Sequence, residues 1–249
     1  MIFDAHLHII DPRFPLVPNQ GYLPPAFDAH AYLALARPLG IRGGAVVSGS
    51  FQGFDQTYLV DALAQLGEGY VGVTQVPASI SDEALAALHA QGVRALRFNL
   101  RRGGSAPLDD LEQMAARVHE RFGWHVELYV DSRDLEDLAS RLIRLPALSI
   151  DHLGLSGDGL PALLRLVEAG AKVKACGFGR VDFPVGPALA QLYRANPEAL
   201  MFGTDLPSTR APRAFQAADL QLIGDTLGDA GARAVLWENA RRFYRLSQA

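Results

Sequence analysis

Cysteine is almost absent from this chain, because Cys176 is the only one among 249 residues. An internal disulfide is therefore excluded, which argues against a disulfide-stabilised secreted domain and favours a reducing compartment. No apolar run is long enough to span a membrane, and the N-terminus lacks the charged and apolar regions of a signal peptide. We therefore expect a cytoplasmic protein with no membrane partner.

Lysine is also scarce: Lys172 and Lys174 are the only lysines, and arginine supplies the rest of the 23 basic residues. These residues are scattered and the formal net charge is −4, so we expect no nucleic-acid partner. Repeats, low-complexity segments and linkers are absent as well. A length of 249 residues, of which 49% are hydrophobic, then predicts a single domain over residues 1–249. The oligomeric state stays open because no exposed apolar helix face stands out.

Short apolar runs alternate with amphipathic stretches, in which apolar residues such as Leu135, Leu138 and Leu142 recur at helical spacing. The runs predict eight strands at 2–9, 44–48, 70–76, 94–98, 125–130, 148–152, 172–176 and 199–204. The stretches predict helices near 28–39, 55–66, 81–91, 108–122, 133–144, 159–169, 186–195, 214–227 and 231–244. This alternation predicts an α/β fold of the (β/α)8 TIM-barrel type. A doubly wound open sheet is the alternative, but no glycine-rich phosphate turn follows the first strand.

Two histidines, His6 and His8, lie two residues apart in the first predicted strand. Side chains at positions i and i+2 of a strand point to the same face, so both imidazoles are expected to project together into an interior. Buried polar groups need partners. The pair therefore indicates a metal, a carboxylate or a bound ligand beside it.

Polar residues also occupy the carboxyl ends of the other predicted strands. They include Ser48, Gln75, Arg97, Asn99, Tyr129, Asp131, Asp151, His152, Arg180 and Asp205. In a barrel these ends gather at one face, which would bring His6, His8, His152 and Asp205 together beneath the proline-rich loop 11–27. The remaining histidines are expected to be structural, namely His30, His89, His119 and His125, the last of them at the opposite end of the barrel.

Three segments carry a family resemblance: Asp4-Ala5-His6-Leu7-His8, Asp151-His152-Leu153-Gly154 and Gly203-Thr204-Asp205-Leu206-Pro207. In this order and spacing, the chain resembles the amidohydrolase superfamily, and within it the lactone hydrolases related to 2-pyrone-4,6-dicarboxylate lactonase. The resemblance implies a distorted barrel in which the strand 8 aspartate, Asp205, is the general base. His6, His8 and His152 would polarise the carbonyl of the substrate.

The resemblance also suggests which residues bind the substrate, a small lactone or carboxylate. The matching tyrosines and arginines are Tyr22, Arg97, Tyr129 and Arg180, and Arg101 or Arg102 could replace a further family arginine. Ser48 and Asn99 are additional candidates from the strand ends.

One position departs from the dicarboxylate lactonase, because Leu155 stands where that enzyme has an arginine. Leucine cannot form the two-pronged hydrogen bond by which a guanidinium recognises a carboxylate. We therefore expect a lactone with one carboxylate, with hydroxyls or with another anion.

A metal is an open question at this stage. Three imidazoles and a carboxylate suit a single Zn or Mn ion held by His6, His8, His152 and Asp205. Binuclear relatives use a bridging lysine or glutamate from a middle strand, but strand 4 has no lysine and Lys174 lies on strand 7. Because the related lactonases work without a metal, we expect that no cofactor is required.

Three functions compete. The leading hypothesis is a hydrolase that opens a small lactone with Asp205-activated water. The alternative is a metal-dependent non-oxidative decarboxylase of an aromatic or unsaturated carboxylic acid, which uses the same histidines and aspartate. The third is a barrel that binds a metabolite without turning it over. Cys176 is expected to be a small buried residue of strand 7 rather than a nucleophile.

Overall fold

The structure is a computed structural model that describes residues 1–246. Its strands are β1 (Ile2–Leu7), β2 (Ile41–Val47), β3 (Tyr70–Thr74), β4 (Val93–Asn99), β5 (His125–Tyr129), β6 (Leu148–Ile150), β7 (Lys172–Ala175) and β8 (Leu200–Phe202). Its α-helices are α1 (Ala29–Ala36), α2 (Thr57–Leu66), α3 (Asp82–Ala90), α4 (Leu111–Phe122), α5 (Leu135–Leu142), α6 (Leu160–Glu168), α7 (Val185–Ala195), α8 (Ala217–Arg233) and α9 (Asn239–Phe243). Each strand pairs in parallel with the next one, from β1 to β8. The predicted (β/α)8 barrel is therefore confirmed.

Backbone hydrogen bonds join the first strand to the segment that follows the last one. The His8 amide donates to the Leu206 carbonyl at 2.8 Å, and the Asp205 amide donates to the His6 carbonyl at 2.7 Å. The barrel thus closes at the carboxyl ends of its strands. This closure places His6 of β1, and His8 directly after it, next to Asp205.

The carboxylate of Asp4 strengthens the same closure. It accepts hydrogen bonds from the Thr204 amide at 2.8 Å, the Thr204 hydroxyl at 2.6 Å and the Tyr32 hydroxyl at 3.1 Å. Burial raises the pKa of Asp4 to about 6, although these donors favour the ionised form. Asp4 therefore anchors the segment that carries Asp205.

The core has two parts. One lies between the sheet and the helices and contains strand and helix residues such as Leu59, Leu96 and Leu163. The other is an apolar cluster that packs against Tyr244: Phe3, Ala5, Val47, Val71, Val73, Ala95 and Met201. Closer to the carboxyl ends of the strands, fully buried polar and charged side chains replace these apolar ones: His6, Glu127, Asp151 and Lys174. A charged layer therefore lies directly under the strand ends.

The start of β2 was predicted too late. The prediction begins at residue 44, whereas the strand starts at Ile41. Two glycines, Gly43 and Gly44, obscure its pattern. A Cβ on Gly43 would lie 2.4 Å from the Gly69 carbonyl oxygen, and one on Gly44 would lie 2.7 Å from the Asp4 carbonyl oxygen. Close packing between neighbouring backbones thus requires glycine where the sequence suggests a break.

The last two predicted helices meet at a kink. Gly228 has φ 66° and ψ 177°, and α8 continues beyond it to Arg233. A π-helical turn, Ala234–Glu238, then leads into α9. The predicted break after residue 227 is therefore present as a kink. Among residues 1–246, none of the helices combines the length and apolar character needed to cross a bilayer.

Candidate active site

Four predicted residues converge at the carboxyl ends of β1, β6 and β8. The ring centroids of His6 and His8 are 5.0 Å apart, and those of His6 and His152 are 4.7 Å apart. One carboxylate oxygen of Asp205, Oδ1, lies 3.7 Å from His8 Nε2 and 4.0 Å from His6 Nε2. All four residues are buried. The structure thus brings together three imidazoles and one acidic group.

The local backbone explains how these side chains reach the same place. A register irregularity in β1 between Asp4 and Leu7 accompanies the turn of both histidines into the barrel. His152 and Asp205 have φ values of 51° and 59°, a left-handed conformation that is uncommon for residues other than glycine. Such strained backbone is often found at functional sites. It also explains why β6 and β8 end earlier than predicted, at Ile150 and Phe202.

The position of the proton on His8 can be derived from its partner. His8 Nδ1 lies 2.7 Å from the carbonyl oxygen of Val47, which can only accept a hydrogen bond. Nδ1 therefore carries the hydrogen, and in the neutral ring Nε2 has a lone pair. This lone pair faces Asp205 Oδ1 at 3.7 Å, so two acceptors oppose each other. The pair needs a proton, a water molecule or a cation between them.

Asp205 is held as an ionised acceptor. Its Oδ2 accepts a hydrogen bond from Arg180 Nε at 2.6 Å, and Arg180 is itself oriented by a bond to the Thr209 carbonyl at 2.8 Å. Burial opposes ionisation of Asp205, but the positive charge of Arg180 holds its pKa well below the usual range. Its other oxygen, Oδ1, has no hydrogen-bond partner. That oxygen is free to bind a water molecule or a cation.

Asp151 connects the histidine cluster to Arg97. Its Oδ2 accepts two hydrogen bonds from Arg97, at 3.1 and 2.8 Å, and its Oδ1 lies 3.4 Å from His6 Nδ1. Arg97 also donates to the Ser48 carbonyl at 2.8 Å. Burial lowers the pKa of His6 to about 3. His6 is therefore a neutral imidazole beside a fixed ion pair.

Lys174 lies beneath the site rather than away from it. Its ammonium forms an ion pair with Glu127 and lies 3.3 Å from His6 Nδ1 and 3.7 Å from Asp151 Oδ1. Glu127 also accepts a hydrogen bond from the Tyr244 hydroxyl at 2.5 Å. The ammonium thus serves as a buried cation that contacts a site histidine.

The donor set fits one divalent ion. One ligand atom from each of His6, His8 and Asp205 lies within 4.8 Å of the other two. His6 Nε2 and Asp205 Oδ1 are buried and have no hydrogen-bond partner. Two imidazole nitrogens and a carboxylate oxygen are a common ligand set for zinc and similar ions. The predicted fourth ligand, His152, groups instead with His6 and Asp151.

A cavity opens to solvent above this cluster. Its walls come from the ends of several strands and their loops, and they include His8, Gly49, Ser50, Phe51, Arg97, Asn99, Arg102, Tyr129, His152, Arg180, Thr209 and Arg210. Four of the lining side chains are guanidinium groups and none is a carboxylate, so the cavity favours an anionic ligand.

The four arginines differ in their partners. Arg97 and Arg180 are ion-paired with Asp151 and Asp205, whereas neither Arg102 nor Arg210 forms an ion pair within residues 1–246. Arg210 lies after β8 and is held in place by Asn19 of the loop after β1. Its guanidinium donates hydrogen bonds to the Asn19 side chain at 3.1 Å and to the Asn19 carbonyl. Burial and the charge of Arg102 lower the pKa of Arg210. The positive charges of Arg102 and Arg210 therefore face the cavity without a carboxylate partner among residues 1–246.

Comparison with known proteins gives the family. A family model described as amidohydrolase matches residues 3–246. The chain belongs to the amidohydrolase family. It is 36% identical over 156 residues to a 2-pyrone-4,6-dicarboxylate hydrolase of Comamonas testosteroni, a match that covers 61% of this chain and 51% of that protein. The chain thus spans about half the length of that relative.

Two further relatives match over nearly the whole chain. A D-galactarolactone isomerase of Agrobacterium fabrum is 27% identical over 98% of this chain and 91% of that protein. The crystal structure of a candidate 2-pyrone-4,6-dicarboxylic acid hydrolase from Pseudomonas putida superposes with a TM-score of 0.84 and 26% identity. That superposition covers 100% of this chain and 98% of the other.

Most substrate-binding residues predicted for this amidohydrolase reach the cavity. Arg97, Asn99, Tyr129 and Arg180 line it, and the Arg97 guanidinium lies 5.3 Å from the centre of the Tyr129 ring. Asn99 accepts a hydrogen bond from an amide of the following loop. Four of the six predicted substrate contacts therefore face the cavity.

Two predicted contacts lie elsewhere. The Ser48 hydroxyl is buried against the Tyr58 hydroxyl at 2.6 Å, so it supports β2 rather than facing the cavity. Tyr22 packs under Arg210, with 4.4 Å between the guanidinium carbon and the ring centre, and is not part of the cavity wall. Leu155 also lies outside the wall.

The sequence-based interpretation of this amidohydrolase listed Asp151 among the polar strand-end residues but gave it no role, and it missed Arg210. Asp151 directly precedes His152 in a predicted site motif, which was an available signal. Arg210 gives no such signal, because only the folded loop after β8 brings it over the cavity. The histidines predicted to be structural lie outside the cavity wall: His30, His89, His119 and His125.

Proposed function

We propose that this chain is a hydrolase that opens a small lactone bearing an acidic group. The observation that carries the proposal is the unpartnered oxygen of Asp205, Oδ1, which lies 3.7 Å from His8 Nε2 and 4.0 Å from His6 Nε2. His8 also lines an arginine-rich cavity, together with His152. Two curated relatives, a lactone-ring hydrolase and a lactone isomerase by name, support the substrate class.

The proposed reaction starts with a water molecule between Asp205 and the histidines. Oδ1 of Asp205 takes a proton from this water while the water oxygen attacks the lactone carbonyl carbon. The C–O bond of the ring then breaks, and its oxygen takes up the proton to give a hydroxy acid. Arg180 holds Asp205 in place through Oδ2, so that Oδ1 keeps its direction.

The low pKa of Asp205 has a consequence for this mechanism. A carboxylate with a depressed pKa is ionised at neutral pH but is a weak base. Stabilisation of the negative charge on the carbonyl oxygen must therefore contribute a large share of the rate. Neutral His152, which lines the cavity, is placed to donate a hydrogen bond to that oxygen.

The same residues are suited to hold a divalent ion. His6, His8 and Asp205 would be its ligands, and the chemistry it supplies when bound is polarisation of a carbonyl and acidification of water. His8 Nε2 already presents a lone pair in that direction. Its other nitrogen is fixed by the Val47 carbonyl, the outer hydrogen bond that is typical of metal-binding histidines.

The acidic group of the substrate is assigned to the mouth of the cavity. Arg102 and Arg210 have no carboxylate partner there, and a carboxylate would neutralise their mutual repulsion. Position 155, where the dicarboxylate enzyme has an arginine, holds a leucine that lies outside the cavity wall. It supplies no guanidinium for a second carboxylate, so we expect a lactone with one carboxylate to be a better substrate than 2-pyrone-4,6-dicarboxylate.

A panel of lactones tests this function. Monocarboxylate, dicarboxylate and uncharged lactones are incubated with the protein, with and without a chelator, and acid release is followed with a pH indicator. The first prediction is that Asp205→Asn lowers kcat/KM by about 10²–10⁴-fold, the range of general base catalysis. Asp131→Asn is the matched control, because Asp131 also follows a strand but pairs with exposed Arg133. Full activity of Asp205→Asn would refute the mechanism.

The same assay separates the competing functions. An isomerase would convert the lactone without releasing acid, and a decarboxylase would release carbon dioxide and require a stoichiometric metal ion. A binding protein would be stabilised by the ligand but form no product. Activity that survives chelation would support the cofactor-free form of the proposal.

A further inference from the structure

Cys176 lies directly after β7, with its sulfur against the buried edge of His152. The distance between Cys176 Sγ and His152 Nδ1 is 3.1 Å, which is within hydrogen-bonding range for sulfur. Cys176 is 1% exposed, so neither water nor a substrate reaches this contact. The ring of His152 meanwhile forms part of the cavity wall. His152 therefore contacts both buried Cys176 and the cavity.

The backbone is shaped to allow this close approach. Gly177 has φ 61°, and a Cβ at this position would lie only 2.7 Å from His152 Nδ1. The ring is also fixed by its neighbours, because the ring centroids of Tyr129 and His6 lie 5.0 and 4.7 Å from that of His152. The imidazole thus has little freedom to turn away from the sulfur.

The direction of the hydrogen bond follows from the state of the two groups. Burial and the charges of Asp205 and Asp151 raise the pKa of the Cys176 thiol well above its usual value, so the sulfur keeps its hydrogen at neutral pH. His152 is buried and forms no ion pair within residues 1–246, so its surroundings favour the neutral ring. Sulfur is a weak acceptor, whereas the lone pair of a neutral imidazole is a good one. The S–H group therefore donates to Nδ1.

We infer that Cys176 is a positioning residue that fixes His152 in the tautomer with its hydrogen on Nε2. A neutral imidazole carries a single N–H, so a ring that accepts at Nδ1 presents an N–H group at Nε2. This donor is suited to bind the carbonyl oxygen of a lactone, a role that rests on the proposed function. The tautomer itself does not depend on that function. An Nε2–H group cannot ligate a metal, which removes His152 from the predicted ligand set.

Nitrogen-15 NMR of histidine-labelled protein tests the tautomer directly. The chemical shifts of the two ring nitrogens distinguish the tautomers, and the spectrum needs no substrate. We expect the Nε2–H form of His152 in the wild-type protein and in Cys176→Ser, whose hydroxyl can donate in the same way. Cys176→Ala should lose that preference. A wild-type spectrum with the hydrogen on Nδ1 would overturn the inference, even if Cys176→Ala failed to fold.

Kinetics supply a second readout. Cys176→Ala should lower kcat by about tenfold, a partial loss of one oxyanion donor, with little change in KM, and Cys176→Ser should restore kcat. Serine and alanine both remove the larger sulfur, so lost packing alone cannot explain a difference between them. Failure of the proposed function would appear as no lactone turnover in all three proteins, with the tautomer result unchanged. Identical spectra for Cys176→Ala and wild type would contradict the positioning role.

Discussion

At the scale of single residues, the arginines of the cavity divide into two functional classes. Arg97 and Arg180 are already neutralised by buried carboxylates and orient other groups. Arg102 and Arg210 have no such partner and are available to a ligand. The distinction depends on pairing, because all four side chains carry the same charge.

This division gives a prediction for Arg210. Arg210→Gln should raise KM for a monocarboxylate lactone by about tenfold or more, since a charge-assisted hydrogen bond contributes about 1.5–3 kcal/mol. It should change kcat little, because Arg210 does not contact Asp205. Steady-state kinetics with the charged lactone and with an uncharged lactone of the same ring size measure the effect.

Arg133→Gln is the matched control for that experiment. Arg133 is an exposed arginine paired with Asp131, and its loss should leave KM unchanged. An equal increase in KM for charged and uncharged lactones would assign Arg210 to loop structure instead of substrate recognition.

The main site residues could be predicted at this scale because strand ends converge in any barrel. His6, His8, His152 and Asp205 follow from that rule and from strand periodicity. Ser48 obeys the same rule, but its hydroxyl bonds to Tyr58, a partner on α2 that strand periodicity does not reveal. Side-chain pairing across elements is thus the part that sequence patterns leave open.

At the scale of elements, a buried ion pair joins β5 to β7. Glu127 and Lys174 are both fully buried, and His125 and Tyr244 complete the hydrogen bonds of the carboxylate at 3.0 and 2.5 Å. The Lys174 ammonium also contacts His6. The stability of the barrel interior is therefore coupled to the position of a site histidine.

Removal of one partner should be costly. Lys174→Met should lower the free energy of unfolding by about 3–5 kcal/mol, because it leaves a buried charge uncompensated. The double variant Glu127→Gln with Lys174→Met should regain much of this loss. Denaturant unfolding of the two single variants and the double variant gives the coupling energy. Additive effects would show that the two side chains stabilise the barrel independently.

Element order was the most predictable feature, since all eight strands were identified by apolar runs between amphipathic stretches. Their bounds were less predictable. The start of β2 was missed because Gly43 and Gly44 interrupt the apolar run, although backbone packing requires them. The ends of β6 and β8 were placed too late because left-handed residues, His152 and Asp205, terminate regular pairing there.

At the scale of the whole molecule, closure between β1 and β8 assembles the site. Gly203 is critical at this seam, because a Cβ there would lie 2.7 Å from His6 Cβ and 3.1 Å from Cys176 Cβ. Gly203→Ala should therefore lower the free energy of unfolding by about 1–3 kcal/mol through overpacking. It should also reduce kcat by displacing His6.

Gly186→Ala in α7 serves as the comparison. A Cβ there would meet its nearest neighbour, Thr226 Oγ1, at 3.4 Å, an ordinary contact. Because alanine is favoured over glycine in helices, this variant should be as stable as wild type or slightly more so. Thermal unfolding and kcat are measured for Gly203→Ala and Gly186→Ala and compared with the wild-type values. Equal stability of the two variants would exclude steric strain at the seam.

The hydrogen bonds between Asp4 and Thr204 join residues 200 positions apart in the sequence. During translation, the ribosome must therefore release nearly the whole barrel before the imidazoles of the first strand can meet Asp205. Nascent chains that end before residue 205 lack Asp205, so the proposed general base is missing from them. Turnover by newly made protein would accordingly report that the chain has been made past Asp205 and that its first and last strands have come together.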